Sequence, residues 1–170
     1  DCQPGSFDIV WATHAIYAIP KKELEKALGR FVHAMGYENT ANNHGAGFIA
    51  HANFQSHYLQ FYQHYLNGFK GGMGEPYVSS EQILTALTQM GVSFEIKQIN
   101  YTNGLPQTDE RQAEGYLQRC LFDDTLSLKE MLTNNVTGPY LERCRKNGAW
   151  EFAQHVTMIF VNPSTDLVFT

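Results

Sequence analysis

The chain reads as a single α/β domain, and three observations carry that reading. Short β-rich apolar runs recur, "FDIVWAT" at residues 7–13 and "GFIAHAN" at 47–53. Between and after them stand segments whose apolar residues repeat every three or four positions, as one face of a helix does. A length of 170 residues with 43% hydrophobic and 13% aromatic side chains supplies one proper core.

The elements follow in order. Residues 7–13 read as a buried parallel strand. Pro20 suits a first helical turn, and Leu24, Leu28, Phe31, Val32 and Met35 make an apolar stripe behind it. "YENTANNHGAG", residues 37–47, is a loop by composition. The second strand then completes a strand–helix–strand unit with parallel strands.

Residues 54–69, "FQSHYLQFYQHYLNGF", carry Tyr58, Phe61, Tyr62, Tyr65 and Phe69 at helical spacing. This face is either core packing or an aromatic lid over a pocket, since a buried tyrosine hydroxyl needs a partner. "KGGMGEPYVSS" is a glycine-rich connection without the strand before it or the Lys-Ser/Thr ending of a phosphate loop. Ser79 or Ser80 caps a helix running through Met90, and Gly91 stops it. "VSFEIKQINY", residues 92–101, alternates as a strand with one wetter face, helices fill much of 110–146, and "EFAQHVTMIFVNP" is a closing strand ending at Pro163. No internal repeat and no long linker divides the chain.

Twelve Lys+Arg against seventeen Asp+Glu leave a net charge of -5. The basic residues are scattered, which argues against a nucleic-acid partner. No apolar run reaches the roughly 18 residues of a membrane helix and no secretory leader is visible, so a soluble protein is expected. Cys2, Cys120 and Cys144 are an odd number at spacings that suit neither a disulfide framework nor a zinc knuckle, which favours a reducing compartment, the cytoplasm. The glycosylation patterns at Asn100 and Asn135 carry no weight without a leader.

No nucleophile elbow, H-E-x-x-H, Walker loop or C-x-x-C is present. His44, His51, His57 and His64 recur six or seven residues apart, but His51 falls on a strand and no carboxylate cluster accompanies them, so no metal site is expected. His14 stands apart. It falls where the first strand runs out, at the carboxyl end where open α/β sheets bind ligands. An imidazole there can hydrogen-bond a substrate or take its proton near neutral pH, or it is simply satisfied by a backbone carbonyl.

In order and spacing, "FDIVWATHAIYAIPKKELEKAL", "GFIAHAN", "YLQFYQHYLNGF", "YVSSEQILTALTQMGVSFEIKQINY" and "FAQHVTMIFVNP" together resemble the C-terminal half of a class I S-adenosylmethionine-dependent methyltransferase. The likeness is to the histamine N-methyltransferase type. It covers nearly the whole chain as strands four to seven with their helices, and "YLQRCLFDD...NNVTGPYLERC" resembles the helical insertion before the last strand. The implied fold is thus the C-terminal half of a Rossmann-like domain with a mixed sheet.

The resemblance implies roles residue by residue. His14 falls at a substrate-contacting position occupied by an amide in that family, and is the candidate catalytic residue. Gln154 matches a substrate-binding amide, Tyr17, Tyr58 and Tyr62 match aromatic pocket positions, and the backbone at Thr13 matches a cofactor contact. Tyrosines stand where tryptophans would, and Ala18 where a second tyrosine would. The implied activity is methyl transfer to a small-molecule acceptor, first an amine or heterocyclic nitrogen, with carbon or oxygen acceptors as the alternatives.

The family's first three strands, its glycine-rich turn and its ribose-binding acid have no counterpart here, so weak or no binding of S-adenosylmethionine by this chain alone is expected. The 7–13 strand is then an open edge that pairs with the missing N-terminal half or with a second copy. The alternative is a non-catalytic pseudo-methyltransferase domain used for assembly.

Overall fold

The computed structural model describes residues 3–36 and 45–161. The chain forms two compact units: the described residues of Asp1–Asn53, Val78–Ile99 and Val156–Thr170, and a second made of Phe54–Tyr77 and Asn100–His155. The loop expected at 37–47 falls largely outside the described residues.

In the first unit β1 (Ile9–Thr13) runs parallel to β2 (Ala46–Ala52), with Ile9 opposite Ala46 and Thr13 opposite Ala50. β2 pairs antiparallel with β5 (Ala149–Val161), which neighbours β3 (Phe94–Pro106), giving the order β1-β2-β5-β3 and the mixed sheet that was expected. Helices α1 (Leu24–Ala34) and α3 (Ser80–Gln89) pack together against this sheet. Leu24, Leu28, Val32 and Met35, four of the stripe residues, enter the core with Ile49, Ile83, Leu87, Ile159 and Val161. A methyl group at Gly47 would stand 2.7 Å from the Phe31 ring and 2.8 Å from Met35 Sδ, so only glycine lets α1 settle this closely on β2.

Local signals set the boundaries. Pro20 leads into a 3-10 turn at Lys21–Glu23 before α1 begins. The Ser79 N–H donates to the Gln82 side chain at 2.9 Å at the start of α3, and Gly91, at φ +69, takes the left-handed turn after it.

Three expectations are corrected. The first strand begins at Ile9 and is not buried: Ile9 and Trp11 are 70% and 76% exposed, because among the described residues β2 alone flanks it and no helix covers that face. The aromatic helix α2 (His57–Phe69) starts three residues late, because Ser56 is extended and its hydroxyl donates to Gln154 instead of capping the helix. β3 runs on to Pro106 and is exposed on both faces over most of its length, as befits the other edge strand, whose backbone pairing with β5 does not depend on side-chain alternation.

In the second unit α4 (Glu110–Leu121), α5 (Leu128–Thr133) and α6 (Thr137–Arg143) form the helix-rich segment expected at 110–146 and join α2. Phe61, Leu66, Leu117, Met131 and Leu141 form its core with Trp150 and Phe152 of β5. Asn147 and Gly148, both at positive φ, turn the two-residue strand β4 (Arg145–Lys146) back onto Trp150 and Ala149. Among the described residues no helix is long and apolar enough to cross a membrane. β5 ends at Val161, and Pro163, the expected stop, lies outside the described residues.

Candidate functional site

Because β1 and β2 are parallel, their carboxyl ends open at the same end of the sheet. His14 follows Thr13 there and donates its backbone N–H to the Ala50 carbonyl at 3.0 Å. Its φ of 51° is the left-handed conformation, uncommon for a residue with a side chain and recurrent at functional sites. His14 Nδ1 lies 2.6 Å from the Tyr17 hydroxyl, with the two rings stacked at 13°. The imidazole's partner is therefore a phenol rather than a backbone carbonyl.

Tyr17 is buried and fixed from three sides. Its hydroxyl accepts the Ala52 N–H at 3.3 Å, its carbonyl accepts the Val78 N–H at 3.1 Å, and its ring centroid lies 4.1 Å from that of His51. His51 is fully buried, with Nε2 2.9 Å from the Val78 carbonyl. A carbonyl only accepts, so Nε2 carries the proton and Nδ1 is the bare nitrogen. Burial, which outweighs the Val78 hydrogen bond, pushes the His51 pKa down to about 4. Burial also lowers the pKa of His14, so both imidazoles are neutral at neutral pH.

Tyr58 and Tyr62 belong to the second unit and share one stack with Tyr77. Tyr62 and Tyr77 lie nearly parallel at 6° with centroids 3.6 Å apart, Tyr58 stacks on Tyr77 at 5.3 Å, and the Tyr77 hydroxyl donates to the Cys120 carbonyl at 3.1 Å. Burial raises all three phenols, that of Tyr58 to about 12, so they are neutral hydrogen-bonding groups. The helix spacing pointed to Tyr58 and Tyr62. It missed Tyr77, which follows a glycine-rich connection where no periodicity places a side chain.

Gln154 is 5% exposed and lies in another network of the same unit. Its Oε1 accepts from Ser56 Oγ at 2.6 Å and its Nε2 donates to the Tyr116 hydroxyl at 2.9 Å. One lone pair and one amide hydrogen remain uncommitted by these bonds.

The spaced histidines have separate environments. His57 is enclosed by Phe61, Tyr116, Tyr140 and Phe152, with Nδ1 2.9 Å from the Tyr140 hydroxyl, and burial holds its pKa down at about 3. His64 lies against Tyr140, and His44 falls outside the described residues. Among the described residues no three potential ligands gather to hold a metal. Cys120 and Cys144 are free thiols whose pKa values burial raises.

Set beside solved structures, the chain is similar to the crystal structure of a protein described as a candidate methyltransferase from Bacillus halodurans. The TM-score is 0.51 at 11% identity, over 96% of this chain and 67% of that one. The YcgJ protein of Bacillus subtilis gives a TM-score of 0.48 at 8% identity, again over 96% and 67%. At such identity the first likeness shows the fold alone, an α/β fold with a mixed sheet and helices like that of the Bacillus halodurans protein. No protein-family profile matches the chain, and no curated protein matches it.

Proposed function

We propose that this chain is the substrate side of an S-adenosylmethionine-dependent methyltransferase similar to the histamine N-methyltransferase type, acting on a small-molecule amine or heterocyclic nitrogen. The observation that carries the reading is the neutral His14 imidazole, held by Tyr17 at the shared mouth of β1 and β2, in a fold like that of the Bacillus halodurans protein.

The residues of this chain do not by themselves fit the cofactor. Among the described residues no glycine-rich turn follows a strand, and the contact assigned to this chain is the backbone at Thr13. Cofactor binding is assigned to an N-terminal half that continues the sheet beside β1. We assign the enzyme to the cytoplasm, in keeping with its free Cys120 and Cys144 thiols.

His14 has a defined part. When its Nδ1–H donates to the Tyr17 oxygen, Nε2 keeps a lone pair and accepts the proton that an acceptor nitrogen gives up as it gains a methyl group. For the second unit, substrate-binding roles are assigned to Tyr58 and Tyr62 through their ring faces and to Gln154 through the lone pair and amide hydrogen that its bonds to Ser56 and Tyr116 leave over. Orientation of an unprotonated acceptor is the main contribution asked of these groups.

Calorimetric titration of S-adenosylmethionine into this chain and into the longest upstream-extended chain from the same gene, followed by transfer of labelled methyl to a panel of amines, tests the reading. Binding and transfer by the extended chain alone are expected. Absence of binding to both would leave the second reading, a non-catalytic assembly domain, which the exposed Ile9 and Trp11 of β1 favour.

A further inference from the structure

His51 lies off the site that the sequence marks out, yet it closes a circuit around it. Its Nε2–H donates to the Val78 carbonyl, the Val78 N–H donates to the Tyr17 carbonyl, and the Tyr17 ring returns to lie 4.1 Å from the His51 ring. Three separate stretches of chain are joined by this loop: the exit from β1, the end of β2 and the residue preceding the Ser79 cap of α3. Tyr17 is thereby held by backbone and ring together, and its hydroxyl, fixed also by the Ala52 N–H, is the partner of His14 Nδ1.

We infer that His51 is a positioning residue for His14, acting through Tyr17. Its two features have separate tasks. The Nε2–H satisfies the Val78 carbonyl, and so fixes Val78 where its N–H meets Tyr17. The flat ring supports the Tyr17 ring and sets the height of its hydroxyl. A ligand role for His51 is disfavoured by its burial: Nδ1 is closed off and has no partner among the described residues, so no molecule entering the mouth touches it without displacing Tyr17 or its neighbours. Carbonyl, ring and hydroxyl act in series, so a change at His51 reaches His14 without touching it.

The inference concerns the same mouth as the proposed function, and its test reads the state of His14 directly, so it stands or falls apart from methyl transfer. Ring nitrogen chemical shifts of His14 would be recorded by NMR in this 170-residue chain and in three variants. Tyr17→Phe removes the hydroxyl and defines the signature of an unpartnered Nδ1. His51→Gln keeps a donor near the Val78 carbonyl and removes the ring; His51→Phe keeps a ring and removes the donor.

Both His51 variants are expected to move the His14 Nδ1 shift toward that of Tyr17→Phe, with the backbone spectrum outside the mouth unchanged. Folded His51 variants whose His14 shifts equal those of the native chain overturn the inference. A second measurement needs no variant: contacts between His51 and Tyr17 ring protons are expected in nuclear Overhauser spectra of the native chain. Their absence overturns the inference even where neither His51 variant folds.

Discussion

The His14 imidazole and the Tyr17 hydroxyl meet at 2.6 Å, and the same hydroxyl takes the Ala52 N–H, so one oxygen ties the end of β1 to the end of β2. Tyr17→Phe leaves both nitrogens without that partner. A loss of about 1–3 kcal/mol of stability is expected in urea denaturation, the cost of leaving the buried Ala52 N–H unpaired, since His14 is exposed and its Nδ1 can turn to water. In the upstream-extended chain, methyl transfer is expected to fall about 10²-fold, the scale of a misplaced reacting group. Unchanged transfer in a folded variant would remove His14 and Tyr17 from the reaction.

Stability is expected to decline as pH falls below neutrality. His51 and His57 have folded pKa values of about 4 and about 3, below the unfolded value of about 6.5, so the unfolded chain binds more protons across the interval between. Their contribution is complete above pH 6.5 and is lost as pH drops through the window toward 4 and 3. The limiting slope is about 1.4 kcal/mol per pH unit for each histidine. Urea midpoints at pH 7 and pH 5 measure it, and equal midpoints would contradict the burial of these rings.

Gln154→Ala removes a side chain that accepts from Ser56 and donates to Tyr116. Loss of these buried bonds is expected to cost about 2–4 kcal/mol, combining unpaired hydroxyls with a cavity. Denaturation of the variant gives the figure directly. A cost below 0.5 kcal/mol, the range of an ordinary surface change, would show that the network is not formed.

The Tyr62–Tyr77 stack should register as a pairwise coupling. A double-mutant cycle with Tyr62→Ala and Tyr77→Ala is expected to give about 0.5–1.5 kcal/mol, the range for aromatic pairs. Strict additivity would mean that the rings do not touch in solution.

The open edge of β1 should be sticky. Sedimentation of this chain is expected to show a dimer, and Trp11→Lys to shift it to monomer, because a charge on an edge strand opposes pairing. A monomer at all accessible concentrations would show that this edge does not pair copies of the chain.

Much of this was legible in the sequence. The stripe of Leu24, Leu28, Val32 and Met35, the cap at Ser79 and the stop at Gly91 are local signals, and each element formed where they said. The Asn147-Gly148 turn is equally local, carried by its dipeptide. By contrast, the Thr102-Asn103-Gly104 stretch looks like a break, yet β3 passes through it because β5 lies alongside.

By itself, the sequence determined the alternation of strands and helices and the placing of His14 at a strand end, since periodicity, caps and turns act over a few residues. Only the tertiary structure decided that His51 supports Tyr17, that Tyr77 joins Tyr58 and Tyr62, and that Gln154 is engaged by Ser56 and Tyr116. The exposure of β1 belongs with these. Each depends on which distant segment arrives beside a side chain, and no local spacing encodes that arrival.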